Sequence, residues 1–163
     1  MFKEFDYKAA IKINRFLIIT IVIGSIAYLL SASDSLQVDK IMTGVIVELN
    51  NPTKTVHMEI RLQGTLNNSL LKGTSFNGKL SFEDKIFTVS KNQVLEKTSE
   101  RQRAYGTFYY DNSLSQLTLL IGEWDPENGT MYIAPARDRK DALQVANDVL
   151  STYIKKHALK PLE

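Results

Sequence analysis

The chain has 163 residues, no cysteine and a formal net charge of +2 from 20 basic and 18 acidic residues. The absence of cysteine excludes disulfide bonds, thiolate catalysis, cysteine metal sites and a lipid-bearing cysteine. Residues 1–15 contain four bases and two acids, so the rest of the chain holds 16 of each. Nucleic-acid binding requires clustered bases without matching acids, and we therefore expect no nucleic-acid partner.

The basic tail is followed by a run of apolar and small residues from Phe16 to Leu30, which Ser31, Ala32 and Ser33 extend. The length is near the lower limit for crossing a bilayer, and the run predicts a transmembrane helix over residues 16–33 that acts as a signal anchor. The positive-inside rule then places the tail, residues 1–15, in the cytoplasm and the remainder outside the cell. A removed secretion signal is the alternative, because small residues precede Asp34 as they do at cleavage sites.

The remaining chain divides into a polar linker, residues 34–40, and one extracytoplasmic domain, residues 41–163. Alternating or β-branched segments bounded by Asn, Pro, Asp and Gly predict strands joined by turns. These segments are 41–49, 55–66, 76–82, 85–89, 104–110, 117–121 and 130–134. The polar segment 91–103 is predicted to be a loop or a short surface helix.

The hydrophobic period changes to three and four residues after Asp138, which is typical of an amphipathic helix. Asp138 suits the N-cap position, Lys155 and Lys156 suit the carboxyl end of the helix dipole, and Pro161 prevents continuation. Strands followed by one such helix predict an α+β domain, in which a mainly antiparallel sheet is covered by the C-terminal helix.

Catalytic signatures are missing from the sequence. The two histidines, His57 and His157, lack metal-ligand spacing, and no nucleophile elbow, phosphate loop or zinc-protease helix is present. We therefore lean towards a protein that is not an enzyme, assign no catalytic residues, and expect no cofactor or bound metal.

The most distinctive local sequence is the acidic loop of residues 123–128, which contains Glu123, Trp124 and Asp125. Clustered oxygens are the ligands that calcium prefers, but the EF-hand spacing is missing and a solvated hairpin loop is the favoured interpretation. Trp124, the sole tryptophan, is either an exposed anchor for a partner or a core residue at one end of the sheet.

Tyrosines of the later strands suggest a second kind of surface, because aromatic faces can stack on sugar rings. The residues are Tyr105, Tyr109, Tyr110 and Tyr132. Strand alternation predicts that Tyr105 and Tyr109 share one face, and ordinary core packing is the favoured interpretation of all four. The candidate partner or ligand surface is Trp124, Glu123, Asp125 and Tyr109.

Residues 129–143, residues 76–80 and the single apolar span together resemble small membrane-anchored proteins of uncharacterised function in Gram-positive bacteria. This resemblance implies a cell-membrane location and transfers no functional residue.

The sequence thus predicts a membrane-anchored, extracytoplasmic binding or accessory protein of the bacterial cell envelope, with a membrane or envelope protein as its partner. Two alternatives stay open. One is an extracytoplasmic hydrolase of cell wall or peptide that uses Glu123 and Asp125 as acid and base. The other is an immunity-like membrane protein that protects against a toxin.

Overall fold

A computed structural model describes residues 17–28, 33–69, 73–82, 85–97 and 102–163. The chain divides into two compact units. The smaller unit comprises residues 1–34 and 68–73, and its principal described element is helix α1, residues 17–28. The predicted cytoplasmic tail and the turn at residues 83–84 lie outside the described residues.

The larger unit is built on eight strands that form a closed antiparallel barrel, in which each strand pairs with the next along the chain and β8 pairs with β1. The strands are β1 (Ser33–Glu48), β2 (Asn51–Ser69), β3 (Gly73–Phe82), β4 (Lys85–Ser90), β5 (Gln93–Lys97), β6 (Gln102–Tyr110), β7 (Leu117–Ile121) and β8 (Thr130–Ala134). Two helices follow, α2 (Arg139–Val149) and α3 (Ser151–Lys156).

The barrel interior is filled with apolar side chains. Alternation along the strands sends every second residue inward, and the buried members include Leu62, Phe76, Leu80, Phe87, Phe108 and Leu119. An eight-stranded barrel has an interior just wide enough for such side chains. Ligand contacts are therefore to be sought on the outside of this barrel.

A second core lies where α2 and α3 cover the outside of β1, β7 and β8. Val45 and Val47 of β1 belong to it, whereas the intervening Ile46 packs on the interior core. From the helices it receives Ala142, Ala146, Leu150 and Ile154. The predicted N-cap is confirmed, because the Asp138 side chain accepts a hydrogen bond from the backbone N–H of Asp141.

The predicted α+β fold class is wrong, because the strands close on themselves instead of forming a sheet covered on one face. The seven predicted strands are all present, but β5 forms within the segment that was predicted to be a loop or surface helix. Strand β1 starts at Ser33, so the predicted linker, residues 34–40, is part of the barrel wall. The eighth strand of the closed barrel is therefore β5.

The predicted transmembrane helix over residues 16–33 also requires correction. Within the described ranges, no helix has both the length and the apolar character needed to cross a membrane. The described helix ends at residue 28, and by Ser33 the backbone is already extended in β1.

Candidate functional site

An aromatic cluster lies on the outside of the barrel, beside α3. Tyr153 of α3 is at its centre, with ring centroids 5.6 Å from Tyr109, 6.1 Å from Trp124 and 4.5 Å from His157. The first two contacts are edge-on, the arrangement that aromatic quadrupoles favour. We call these four residues the outer aromatic cluster. Its three large rings are half-buried and His157 is exposed, so it is accessible to a partner.

Local structure explains how two of these side chains reach the cluster. Tyr109 lies opposite Thr118 of β7 in the sheet register, on the outward face of β6. Trp124 follows β7, and its indole ring lies against Gly129, where an added Cβ would come within 2.2 Å of the indole Cδ1 atom. Only glycine therefore fits beneath the ring. The indole Nε1 is buried and has no hydrogen-bond partner among the described residues.

Asp125 organises the acidic loop from within. One of its carboxylate oxygens accepts the backbone N–H groups of Glu127 and Asn128 at 2.9 and 2.7 Å. Its carbonyl oxygen accepts the N–H of Gly129. The hydrogen bond from Asn128, followed by that from Glu127, lowers the pKa of Asp125 below its ordinary value. Asp125 therefore shapes the turn, and Glu123 is the exposed carboxylate beside the cluster.

The surroundings favour a neutral hydroxyl on Tyr109. Burial raises the pKa of Tyr109 above its ordinary value, and the neighbouring Tyr153 raises it further. The Tyr109 hydroxyl can therefore donate and accept hydrogen bonds at neutral pH. Together with the half-buried indole, this composition is typical of protein interfaces, where Tyr and Trp dominate the binding energy.

The other three tyrosines singled out in the sequence do not join this surface. Tyr132 and Tyr110 are directed into the barrel, where the Tyr132 hydroxyl donates to backbone carbonyls of Met42 and Met58. A β-bulge in β6 turns Tyr105 inward as well, because Val94 is opposite Gly106 while Leu95 is opposite Ala104. The prediction that Tyr105 and Tyr109 share a face is wrong for this reason.

Groups that could perform catalysis are separated. His57 lies beside Glu59 and Arg61 in an open groove of about 460 Å³ on β2 and β3, whereas His157 packs on Tyr153. Arg61 is already paired with Asp39. No group of three or more acidic or histidine residues in the described part of the chain could hold a metal ion. The two histidines therefore lie in different surroundings and do not form a pair.

Sequence reasoning identified Tyr109 and Trp124 but missed Tyr153 and His157 as members of the same surface. The helical period did place Tyr153 on the apolar face of the C-terminal helix. It could not show that this part of the helix lies beside β6. No family model, curated protein or solved structure matches this chain.

Proposed function

We propose that this is a membrane-associated binding or accessory protein of the bacterial cell envelope, in which α1 enters the apolar region of a bilayer and the outer aromatic cluster contacts a protein partner. The proposal requires the helix to enter lipid and does not require it to cross. The barrel is the recognition domain, and no reaction is assigned to it.

The observation that carries membrane association is the exposure of α1. Its twelve described residues contain no charged side chain, and all are exposed, with Val22 at 50% and Ile23 at 61%. A helix that is apolar around its circumference is stable when an apolar medium surrounds it. Transfer of these apolar side chains from water into hydrocarbon is favourable, so a bilayer suits the composition of the described helix.

Basic residues before the helix also support membrane association. Lys3, Lys8, Lys12 and Arg15 precede it in the sequence. Basic residues next to an apolar helix are attracted to anionic lipid headgroups, each contributing about 1 kcal/mol near the surface. An apolar helix and a basic segment together provide the two signals that stable membrane binding needs.

Cell fractionation tests the membrane proposal directly. The full chain should sediment with membranes and resist washing with high salt and carbonate. Replacing Ile19 and Ile23 by Lys should move it to the supernatant, because ammonium groups are costly in hydrocarbon. The matched Ile19→Leu, Ile23→Leu variant should stay with the membranes. A wild-type chain found in the supernatant would overturn the proposal.

The partner role is tested by site-specific crosslinking in cells. The chain has no native cysteine, so a thiol-reactive photocrosslinker can be attached at Glu123→Cys, beside the outer aromatic cluster. We expect one discrete protein adduct from this position and none from Lys79→Cys, an exposed position on β3. Equal labelling from both positions would show that the cluster is not a specific contact surface.

A further inference from the structure

Strand β1 is much longer than the strand that closes the barrel against it. β8 ends at Ala134 and pairs with β1 only over Val45–Glu48. Residues 35–43 therefore extend past the end of β8, and no strand of the described residues pairs with them on that side. Their backbone groups on this side form an open edge, which is a template for another strand.

Charged residues normally protect such an edge, but here they are engaged elsewhere. Asp39 accepts two hydrogen bonds from the Arg61 guanidinium of β2, at 2.8 and 2.7 Å. The Lys40 ammonium donates to the carbonyl oxygen of Leu114 at 2.8 Å. Between these charges and the start of β8 pairing lies Ile41, which is 56% exposed on the outward face. The centre of the edge is therefore apolar, and the charges of Asp39 and Lys40 are both engaged by groups of the same chain.

We propose that residues 39–43 of β1 pair antiparallel with the same strand of a second copy of this chain, about a two-fold axis at Ile41. This register places Ile41 opposite Ile41, Lys40 opposite Met42 and Asp39 opposite Thr43. Registers centred on Asp39 or Lys40 would place like charges directly opposite and are disfavoured. The contact is self-complementary, as a two-fold interface requires, and it extends the wall of one barrel into that of the other.

Disulfide trapping tests the register. Directly opposite residues of antiparallel strands have Cα atoms roughly 4.5 to 5.5 Å apart, which is within the range that a disulfide bridges. The full-length cysteine-free chain with Ile41→Cys, in detergent micelles, should form a disulfide-linked dimer under mild oxidation. Ile86→Cys on β4 is the matched control, because Ile86 is also an exposed isoleucine on a strand, at 63%. We expect at least about tenfold more dimer from Ile41→Cys, and equal yields would overturn the register.

Introducing a charge at the centre of the edge gives a second test of the proposal. Ile41→Lys places two ammonium groups opposite each other, whereas Ile86→Lys adds the same charge away from the edge. By light scattering in detergent, the wild-type chain and Ile86→Lys should have twice the 18.5 kDa chain mass, and Ile41→Lys should be monomeric. A monomeric wild-type chain, or a dimeric Ile41→Lys, contradicts the proposal. Membrane association is measured separately by fractionation, so either proposal can fail alone.

Discussion

Thr118 and Asp111 show that hydrogen-bond partners decide whether a side-chain oxygen stabilises or destabilises the fold. The Thr118 hydroxyl is fully buried on the outward face of β7 and has no hydrogen-bond partner among the described residues. The Asp111 carboxylate, in the loop after β6, accepts hydrogen bonds from Ser113, Ser115 and Gln116. Burial of an unpaired polar group is unfavourable, whereas a satisfied carboxylate holds its loop together.

Replacing Thr118 by Val should raise the free energy of unfolding by about 1 kcal/mol, because the methyl group has a similar shape and needs no partner. Chemical denaturation measures the change. Thr88→Val is the control, since Thr88 is exposed on β4 and its substitution should change stability by less than about 0.5 kcal/mol. A loss of stability in Thr118→Val would show that the hydroxyl is hydrogen-bonded.

Asp111→Ala should destabilise the fold by about 1 to 3 kcal/mol at neutral pH, because backbone and hydroxyl donors lose a charged acceptor. Burial acts to raise the pKa of Asp111, but the hydrogen bonds outweigh it and the pKa is lowered. A lowered folded-state pKa contributes stability above the unfolded value, about 4, and that stability is lost as the pH falls through the folded value.

Denaturation of both proteins between pH 7 and pH 2 checks this sign. The difference in stability between wild type and Asp111→Ala should be largest at neutral pH and shrink below pH 4. Asp111→Asn, which can still accept the two backbone N–H groups, should lie between them. A difference that stays constant over the whole pH range would contradict the assignment.

At the scale of elements, α2 is fixed at its beginning to the turn between β1 and β2. Arg139 donates to the carbonyl oxygens of Glu48 and Leu49, at 2.8 and 3.3 Å. Asp138 caps the same end. The start of the helix is therefore held both by its own cap and by the barrel. This positions α3, and with it Tyr153, over the outer face of β6.

Asp138→Ala should lower stability by about 1 kcal/mol, because the N–H of Asp141 loses its acceptor. Asp148→Ala serves as the control, since Asp148 is exposed near the carboxyl end of α2, where an acid opposes the helix dipole. Thermal denaturation should show a lower midpoint for the first variant and an unchanged or higher one for the second. Equal effects would mean that the cap is not the cause.

At the scale of the whole molecule, the barrel depends on the short junction between β1 and β8. A Cβ atom added at Gly44 would lie 2.1 Å from the carbonyl oxygen of Ile133. That oxygen belongs to the backbone of β8, so it cannot move aside as a flexible side chain would. Closure therefore requires glycine at this position.

Gly44→Ala should destabilise the protein by about 2 kcal/mol or more, because it forces β1 and β8 apart where the barrel closes. Thr43→Ala, at the exposed neighbouring position, should have a small effect. Urea unfolding measures both changes, and amide hydrogen exchange should show lost protection in β8 for Gly44→Ala alone. A fully stable Gly44→Ala would mean that the junction is not closely packed.

Several features of the outer surface could be predicted from single residues. The period of α2 indicates which of its side chains face the barrel, and Tyr109 and Trp124 are both surface candidates from the sequence. Their convergence on Tyr153 could not be predicted, because it depends on where α3 lies on the barrel. The role of Asp125 in its turn was equally hidden, since hydrogen bonds within a loop follow from its backbone conformation.

The sequence by itself determined the strands with clear alternation, the helix capped by Asp138 and the apolar segment before the barrel, because these depend on local periodicity and capping. Only the tertiary structure decided the closure of the sheet, the bulge that turns Tyr105 inward and the strand β5. Closure depends on backbone hydrogen bonds between the two ends of the sheet, and a bulge changes side-chain direction without changing composition. Such long-range pairing leaves no periodic signal in the residues themselves.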